Sequence, residues 1–127
     1  MIDVFLVDDH PVMRELLREM LETYDDLTIV GEAGTEEAAV TEAAVLQPAA
    51  VILDIHLPTL NGIQATATIK RQCPATAVIG ITAGEPHPEE AEMMFAAGAV
   101  ALLDKAEILD ALYPSIVEAV TQMKTPA

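Results

Sequence analysis

Hydrophobic positions follow two alternating patterns along this chain. Five short segments are almost continuously apolar, and the longer segments between them repeat apolar residues every three or four positions. A short continuous run is typical of a strand buried on both faces, whereas the longer period is typical of a helix with one buried side. The predicted strands are residues 2–7, 27–30, 50–53, 77–81 and 100–103.

Capping and helix-breaking residues delimit the predicted helices. Thr35 is a suitable N-cap, and Pro48 ends the helical segment that follows it. Two more helices are predicted from about residue 62 to residue 73 and over residues 88–97, where Gly98 suits the C-terminal turn. The first and last helices are recognised by apolar stripes, formed by Val12, Met13, Leu16, Leu17, Met20 and Leu21 and by Ile108, Leu109, Leu112, Ile116 and Val120.

A strand followed by a helix, repeated five times, predicts an α/β fold. Parallel strands need crossover helices, so the pattern favours a doubly wound, five-stranded parallel sheet with five helices on its two faces. The 127 residues suffice for one domain of this kind, and no composition change marks an internal linker.

Composition excludes several classes of function. The chain has 21 acidic and 6 basic residues, a formal charge of −15, and no stretch dense in Lys or Arg, which argues against direct binding to nucleic acid or anionic lipid. Neither a signal peptide nor an apolar run long enough for a membrane span is present. The single cysteine, Cys73, allows no internal disulfide and is expected to serve packing, so a reducing, cytoplasmic compartment is predicted.

Polar side chains follow four of the five predicted strands. Asp8 and Asp9 come after the first strand, Asp54 after the third, Thr82 after the fourth and Lys105 shortly after the fifth. Because functional sites in open parallel sheets form beyond the carboxyl ends of the strands, these five side chains are expected to converge. The second strand is followed by Gly31 and Glu32, and its contribution to such a site is less obvious.

Three carboxylates held close together would repel one another unless a cation relieved them. An all-oxygen ligand set suits Mg²⁺ rather than zinc, and Lys105 would complete the charge balance. A carboxylate nucleophile, a metal and donors for phosphoryl oxygens are what phosphoryl transfer to an aspartate requires. Asp54 is the best nucleophile candidate, because it lies alone beyond the central strand. Each residue alone has a simpler explanation, since Asp8 and Asp9 could merely cap a helix that begins at Pro11.

At these residues the chain resembles the receiver domain of two-component response regulators, over essentially its whole length. The matching segments are FLVDDHPVMRELL, VILDIHLPTLNGI, IGITA and GAVALLDK. The DDHP and RELL segments, with GEAGTEEA after the second strand, are most similar to the NarL/FixJ-type subfamily. The resemblance implies a flavodoxin-like sheet with strand order 2-1-3-4-5 and one receiver domain over residues 1–127.

The resemblance also implies a role for each site residue. Asp54 would accept a phosphoryl group from a histidine kinase, with Thr82 and Lys105 contacting that group. Asp9 would ligate Mg²⁺ directly, Asp8 through water, and His56 through its backbone carbonyl. Pro58 and Gly62 would form the turn and the helix start after the acceptor. His56 is also expected to influence the lifetime of the phosphorylated state, whereas His10 is assigned to a helix-start turn and His87 to a surface loop.

One departure from the family concerns the switch. Leu102 stands where the family usually has an aromatic residue that turns inward when the threonine engages the phosphoryl group. We therefore expect the segment AGEPHPEE, residues 83–90, and the fourth helix to carry the switch instead.

Two further points on function follow from the resemblance and from the residues. A DNA-binding output domain is expected outside this chain, and the likeness favours a truncated protein over a single-domain regulator; self-phosphorylation and autodephosphorylation would be its only chemistry. The alternative is a stand-alone or degenerate receiver that acts as a protein-interaction module, with the oligomeric state open. A dedicated phosphohydrolase is discounted because Asp54-Ile55-His56 lacks a second aspartate, and a nucleotide site is discounted because DDHP would repel phosphate without a metal.

Overall fold

The predicted alternation of strands and helices is confirmed. The computed structural model describes residues 1–56 and 62–124. Strands and helices alternate as β1 (Ile2–Val7), α1 (Pro11–Leu21), β2 (Leu27–Ala33), α2 (Glu36–Leu46), β3 (Ala50–Asp54), α3 (Gly62–Gln72), β4 (Ala77–Thr82), α4 (Pro88–Ala97), β5 (Ala99–Asp104) and α5 (Ile108–Lys124), with a 3-10 turn at Lys105–Glu107 before α5.

The five strands form one parallel sheet in the order β2-β1-β3-β4-β5, as expected. One face packs against α1 and α5 through Leu17, Leu21, Leu112 and Ile116. The other face packs against α2 and α3, and α4 lies beside α3. Because β3 is central and all strands run the same way, the residues that follow β1, β3, β4 and β5 meet at one edge.

Strand β2 is three residues longer than predicted. A register shift after Val4 lets Gly31, Glu32 and Ala33 continue the pairing with β1, opposite Phe5, Leu6 and Val7. Glu32 interrupts the apolar run, which is why the sequence pattern placed the strand end too early. Glu32 therefore belongs to the sheet rather than to the loop after it.

The predicted stripe on α1 is too wide. Val12 and Leu16 are 79% and 48% exposed, whereas Leu17 and Leu21 are buried. At about 100° per residue, the six apolar residues of the stripe span about half of the helix circumference, more than one packed face covers. Leu109 in the first turn of α5 is also exposed, whereas Leu112, Ile116 and Val120 of the same predicted stripe are buried.

The predicted helix ends agree with the structure. The Thr35 hydroxyl accepts a hydrogen bond from the Ala38 N–H at the start of α2, and Gly98 ends α4 with a left-handed φ of 116°. Cys73 is fully buried, and its thiol donates to the Ala43 carbonyl, in keeping with a packing role. Within the described ranges, none of the helices combines the length and the apolar character that a membrane crossing requires.

Candidate functional site

Three aspartates and one histidine lie together beyond β1 and β3. Asp8, Asp9, His10 and Asp54 each offer a ligand atom, and these atoms lie within 4.8 Å of one another. Asp8 and Asp54 are 1% and 4% exposed, and Asp9 is half-buried. The structure thus brings together Asp8, Asp9 and Asp54, the three carboxylates that were predicted to converge because they follow parallel strands.

Lys105 joins two of these carboxylates. Its Nζ lies 3.2 Å from Asp54 Oδ2 and 3.5 Å from Asp8 Oδ2. Burial acts to lower the pKa of Lys105, but the negative charges of Asp54 and Asp8 outweigh burial and raise the pKa above its usual value. The ammonium group therefore stays charged at neutral pH and offsets part of the negative charge of the cluster.

Asp8 and Asp54 each have one carboxylate oxygen held in a turn of the same type. The His10 N–H donates to Asp8 Oδ1 and the His56 N–H donates to Asp54 Oδ1, both at 2.8 Å. In each turn an aspartate side chain bonds to the backbone two residues later. The second oxygen of each carboxylate is left to contact Lys105.

Asp9 has an oxygen that is not satisfied by hydrogen bonding. His10 Nδ1 lies 3.0 Å from Asp9 Oδ1 and 3.1 Å from Asp8 Oδ1. Even so, Asp9 Oδ1 is buried and accepts no hydrogen bond within the described part of the chain. His10 is the N-cap residue of α1, as the sequence indicated, but the contact of its ring with two acids was not predicted.

Thr82 ends β4 at the same edge, with its hydroxyl engaged in its own loop. Thr82 is 1% exposed, and its hydroxyl donates a hydrogen bond to the Gly84 carbonyl. The Gly84 N–H in turn lies 3.3 Å from Asp104 Oδ1, which also accepts from the Ala106 N–H at 3.0 Å. A chain of hydrogen bonds therefore connects Thr82 with the segment that carries Lys105.

The side chain of His56 contacts α4 rather than the cluster of three aspartates. Its ring is 58% exposed, and Nε2 lies 3.0 Å from Oε2 of Glu90 in the first turn of α4. Leu102, at the position where the family usually has an aromatic residue, packs with Ile55 and Met94 in a small core cluster under α4. Both contacts place α4 close to the segment that follows Asp54.

Gly62 begins α3 where the backbone passes close to the end of β3. Its N–H donates to the Ile55 carbonyl at 2.6 Å. A Cβ at this position would lie 2.4 Å from Ile55 Cα and 2.9 Å from the Asp54 carbonyl oxygen, so only glycine fits. Pro58, the predicted turn residue, lies outside the described residues.

The contribution of β2 was missed by the sequence reasoning. Glu32 pairs with Arg14 Nε at 3.2 Å and with Arg18 Nε at 2.6 Å. Arg14 Nη1 donates to the backbone carbonyl of Asp8 at 2.6 Å. One feature of the sequence could have indicated these contacts. Two of the six basic residues of the chain lie one helical turn apart on the helix that follows Asp8 and Asp9.

Comparison with known sequences gives one family. The response regulator receiver domain family matches residues 4–116. Response regulator GacA of Pseudomonas protegens is 33% identical over 116 residues, which are 91% of this chain and 54% of the relative. A protein-glutamate methylesterase/protein-glutamine glutaminase of Nitrosospira multiformis is 37% identical over 83% of this chain and 30% of its own length. The chain spans about half or less of the curated relatives that it matches.

Solved structures with the same architecture include two receiver domains. The response regulator domain of Thermotoga maritima CheB superposes with a TM-score of 0.89 at 29% identity, covering 95% of this chain and 97% of that one. The signal receiver domain of a NarL regulator from Mycobacterium tuberculosis gives 0.80 at 28% identity, covering 91% and 96%.

Proposed function

The chain belongs to the response regulator receiver domains, and we propose that its phosphoacceptor is Asp54, which a histidine kinase phosphorylates in the presence of Mg²⁺. The observation that carries this assignment is the placement of the Asp54 carboxylate. It is nearly buried, lies at the end of the central strand, is paired with Lys105, and has two further carboxylates within reach. A structural aspartate would not need this concentration of like charge.

The acid cluster has the chemistry of a magnesium site. Among the described residues, none donates a hydrogen bond to the buried Asp9 Oδ1, and such an atom is costly unless a cation or a proton satisfies it. The carboxylates of Asp8, Asp9 and Asp54 and the carbonyl of His56 would hold the ion, an all-oxygen set that suits Mg²⁺. Once bound, the cation would neutralise charge on the phosphoryl oxygens.

Asp54, Lys105 and Thr82 would each have a separate role in phosphoryl transfer. An Asp54 oxygen would form the new bond to phosphorus while the bond to the donor atom breaks and the leaving group takes that electron pair. Lys105, already beside Asp54 Oδ2, would pair with a phosphoryl oxygen. The Thr82 hydroxyl would exchange its Gly84 acceptor for another phosphoryl oxygen.

The rest of the proposal concerns partners. We propose a sensor histidine kinase as donor and a DNA-binding output domain, outside the present residues, as the target. The relatives that match this chain support an output domain, because they include a transcriptional regulatory protein, YdfI of Bacillus subtilis. The charge of −15 makes direct contact of this domain with DNA unfavourable. A buried free thiol at Cys73 supports a reducing compartment and thus the cytoplasm.

We expect the segment 83–90 to respond to phosphorylation. If Thr82 turns to the phosphoryl group, it releases the Gly84 carbonyl and loosens the link from Gly84 to Asp104. Amide hydrogen exchange with and without beryllofluoride and Mg²⁺ should therefore change in this segment, while the amides of α2 serve as the internal control. Unchanged protection in residues 83–90 would contradict this switch.

The His56 side chain is expected to slow hydrolysis of the acyl phosphate. The ring belongs to the second residue after Asp54 and is restrained by Glu90, and we propose that it limits access of water to the acyl phosphate. His56→Ala should then shorten the phosphorylated lifetime by about threefold or more, equivalent to about 0.7 kcal/mol in the barrier. Decay of the phosphorylated form is followed by intact mass. The Glu90→Gln variant keeps the ring but removes the carboxylate, and an intermediate lifetime is expected. An unchanged lifetime in His56→Ala would exclude this role.

A further inference from the structure

We propose that Arg14 is a positioning residue that holds the Asp8–Asp9 segment in the shape required by a divalent cation, and that Glu32 orients Arg14 for this task. The inference rests on the proposed Mg²⁺-dependent function and adds to it a role for α1 and β2. Among the described residues, Arg14 contacts Glu32 and the Asp8 carbonyl but none of the three aspartate carboxylates. It acts on their backbone.

The two backbone groups of Asp8 are held by β2 and by α1. The Asp8 N–H donates to the Ala33 carbonyl of β2 at 3.1 Å, which continues the β1–β2 ladder by one residue. The Asp8 carbonyl accepts from Arg14 Nη1 at 2.6 Å. A hydrogen bond from a guanidinium is charge-assisted and stronger than one between neutral groups. The strand end therefore stays ordered for one peptide beyond the sheet, where the acidic pair begins.

The Arg14 side chain has little freedom to leave this position. Its Nε is held by Glu32 Oε1 at 3.2 Å, and the two side chains are only 22% and 28% exposed. Gly34 leaves room for the guanidinium, since a Cβ there would lie 3.0 Å from Arg14 Nη1. The guanidinium thus donates from two separate nitrogens, Nε to a strand carboxylate and Nη1 to a loop carbonyl, and the single nitrogen of a lysine does not reproduce that spacing.

This bridge matters because the acidic segment is under electrostatic strain. Asp8, Asp9 and Asp54 repel one another, and Lys105 contacts only Asp8 and Asp54. If the Asp8 carbonyl were not held as well, repulsion would shift the backbone of the acidic pair and the cation would have to reorder the segment on binding. A pre-ordered segment avoids that cost. Partners that orient metal ligands are worth about 10- to 100-fold in affinity, so loss of Arg14 should weaken Mg²⁺ binding about tenfold.

Arg18 provides the matched control. It binds the same Glu32 at 2.6 Å and also pairs with Glu22 at 2.9 Å, but within the described part of the chain it makes no hydrogen bond to the acidic segment. Arg14→Met and Arg18→Met therefore remove the same charge, a similar volume and one ion pair to the same partner. Only the first removes the bond to the Asp8 carbonyl.

The test measures Mg²⁺ binding and backbone order in the same variants. Calorimetric titration of the 127-residue chain with Mg²⁺ should give a Kd about tenfold weaker for Arg14→Met and within about twofold of wild type for Arg18→Met. Amide exchange at residues 8–10, measured without Mg²⁺, should be faster in Arg14→Met alone. Arg14→Lys keeps the charge but not the fork, and should recover only part of the affinity; it answers the same question if Arg14→Met does not fold.

Failure of this inference can be told apart from failure of the proposed function. If wild type binds Mg²⁺ but Arg14→Met and Arg18→Met are indistinguishable in Kd and in exchange, the positioning role of Arg14 is wrong and the proposed function stands. Full recovery of affinity by Arg14→Lys would also overturn the role, because charge alone would then suffice. If wild type binds no Mg²⁺, the proposed function fails and this inference fails with it.

Discussion

Replacement of Asp54 by asparagine is expected to abolish the phosphorylated form of this protein. The amide of asparagine is not a nucleophile toward phosphorus, whereas its size and its carbonyl oxygen match the carboxylate. The carbonyl oxygen can still accept the hydrogen bond of the His56 N–H, and Lys105 keeps its contact with Asp8. The variant should therefore fold normally and differ in chemistry alone. Incubation with acetyl phosphate and Mg²⁺, followed by intact mass, should give wild type an addition of about 80 Da and Asp54→Asn none.

Asp25→Asn is the matched control for this experiment. Asp25 is an exposed acid in the turn before β2, at the edge of the sheet opposite the acid cluster, and its replacement changes the charge equally. It should be phosphorylated as fully as wild type. A stable adduct on Asp54→Asn would contradict the assignment of the acceptor. Absence of any adduct on wild type, with both acetyl phosphate and a kinase, would instead support the stand-alone interaction module.

The order of elements could be predicted because buried parallel strands leave a strong signal. Strands β3 and β4 are wholly buried and β1 is buried from Val4 onward, so their apolar runs are nearly continuous. The edge strand β2 is half-exposed and contains Glu32, and its end was therefore placed three residues too early. On α1, six apolar residues were available for one buried face, and nothing in the pattern shows which of them face solvent.

The site could be predicted as far as the topology determines it. Parallel strands bring their carboxyl ends together, so Asp8, Asp54 and Lys105 had to be neighbours. The contacts that join separate loops depend on side-chain directions that no periodicity encodes. His56 reaches Glu90 across 34 positions, and Arg14 reaches back to the carbonyl of Asp8 from the first turn of α1. Such contacts depend on how side chains pack and pair in the folded chain, and for this reason only the structure shows them.

The largest loss of stability is expected from Gly62→Ala. The added Cβ would meet the backbone of β3 and of the residue after it, 2.4 Å from Ile55 Cα and 2.9 Å from the Asp54 carbonyl oxygen. Backbone in a central strand cannot move aside without disturbing the core, so the free energy of unfolding should fall by about 3 kcal/mol or more. Urea unfolding followed by circular dichroism measures this loss. Any relaxation that does occur must displace Asp54, and the phosphorylated fraction at a fixed acetyl phosphate concentration should fall as well.

Gly80→Ala separates this backbone clash from simple overpacking. Its Cβ would also meet close neighbours, at 2.7 Å from Leu102 Cδ1 and 2.8 Å from Met94 Cε, but these are the ends of flexible side chains. Leu102 is half-buried and can turn outward, so a loss of about 1 kcal/mol is expected at this site. If the two variants lost equal stability, the close approach of α3 to the end of β3 would not be the constraint that requires glycine at position 62. A larger loss for Gly62→Ala means that the helix start and the placement of Asp54 depend on the same contact.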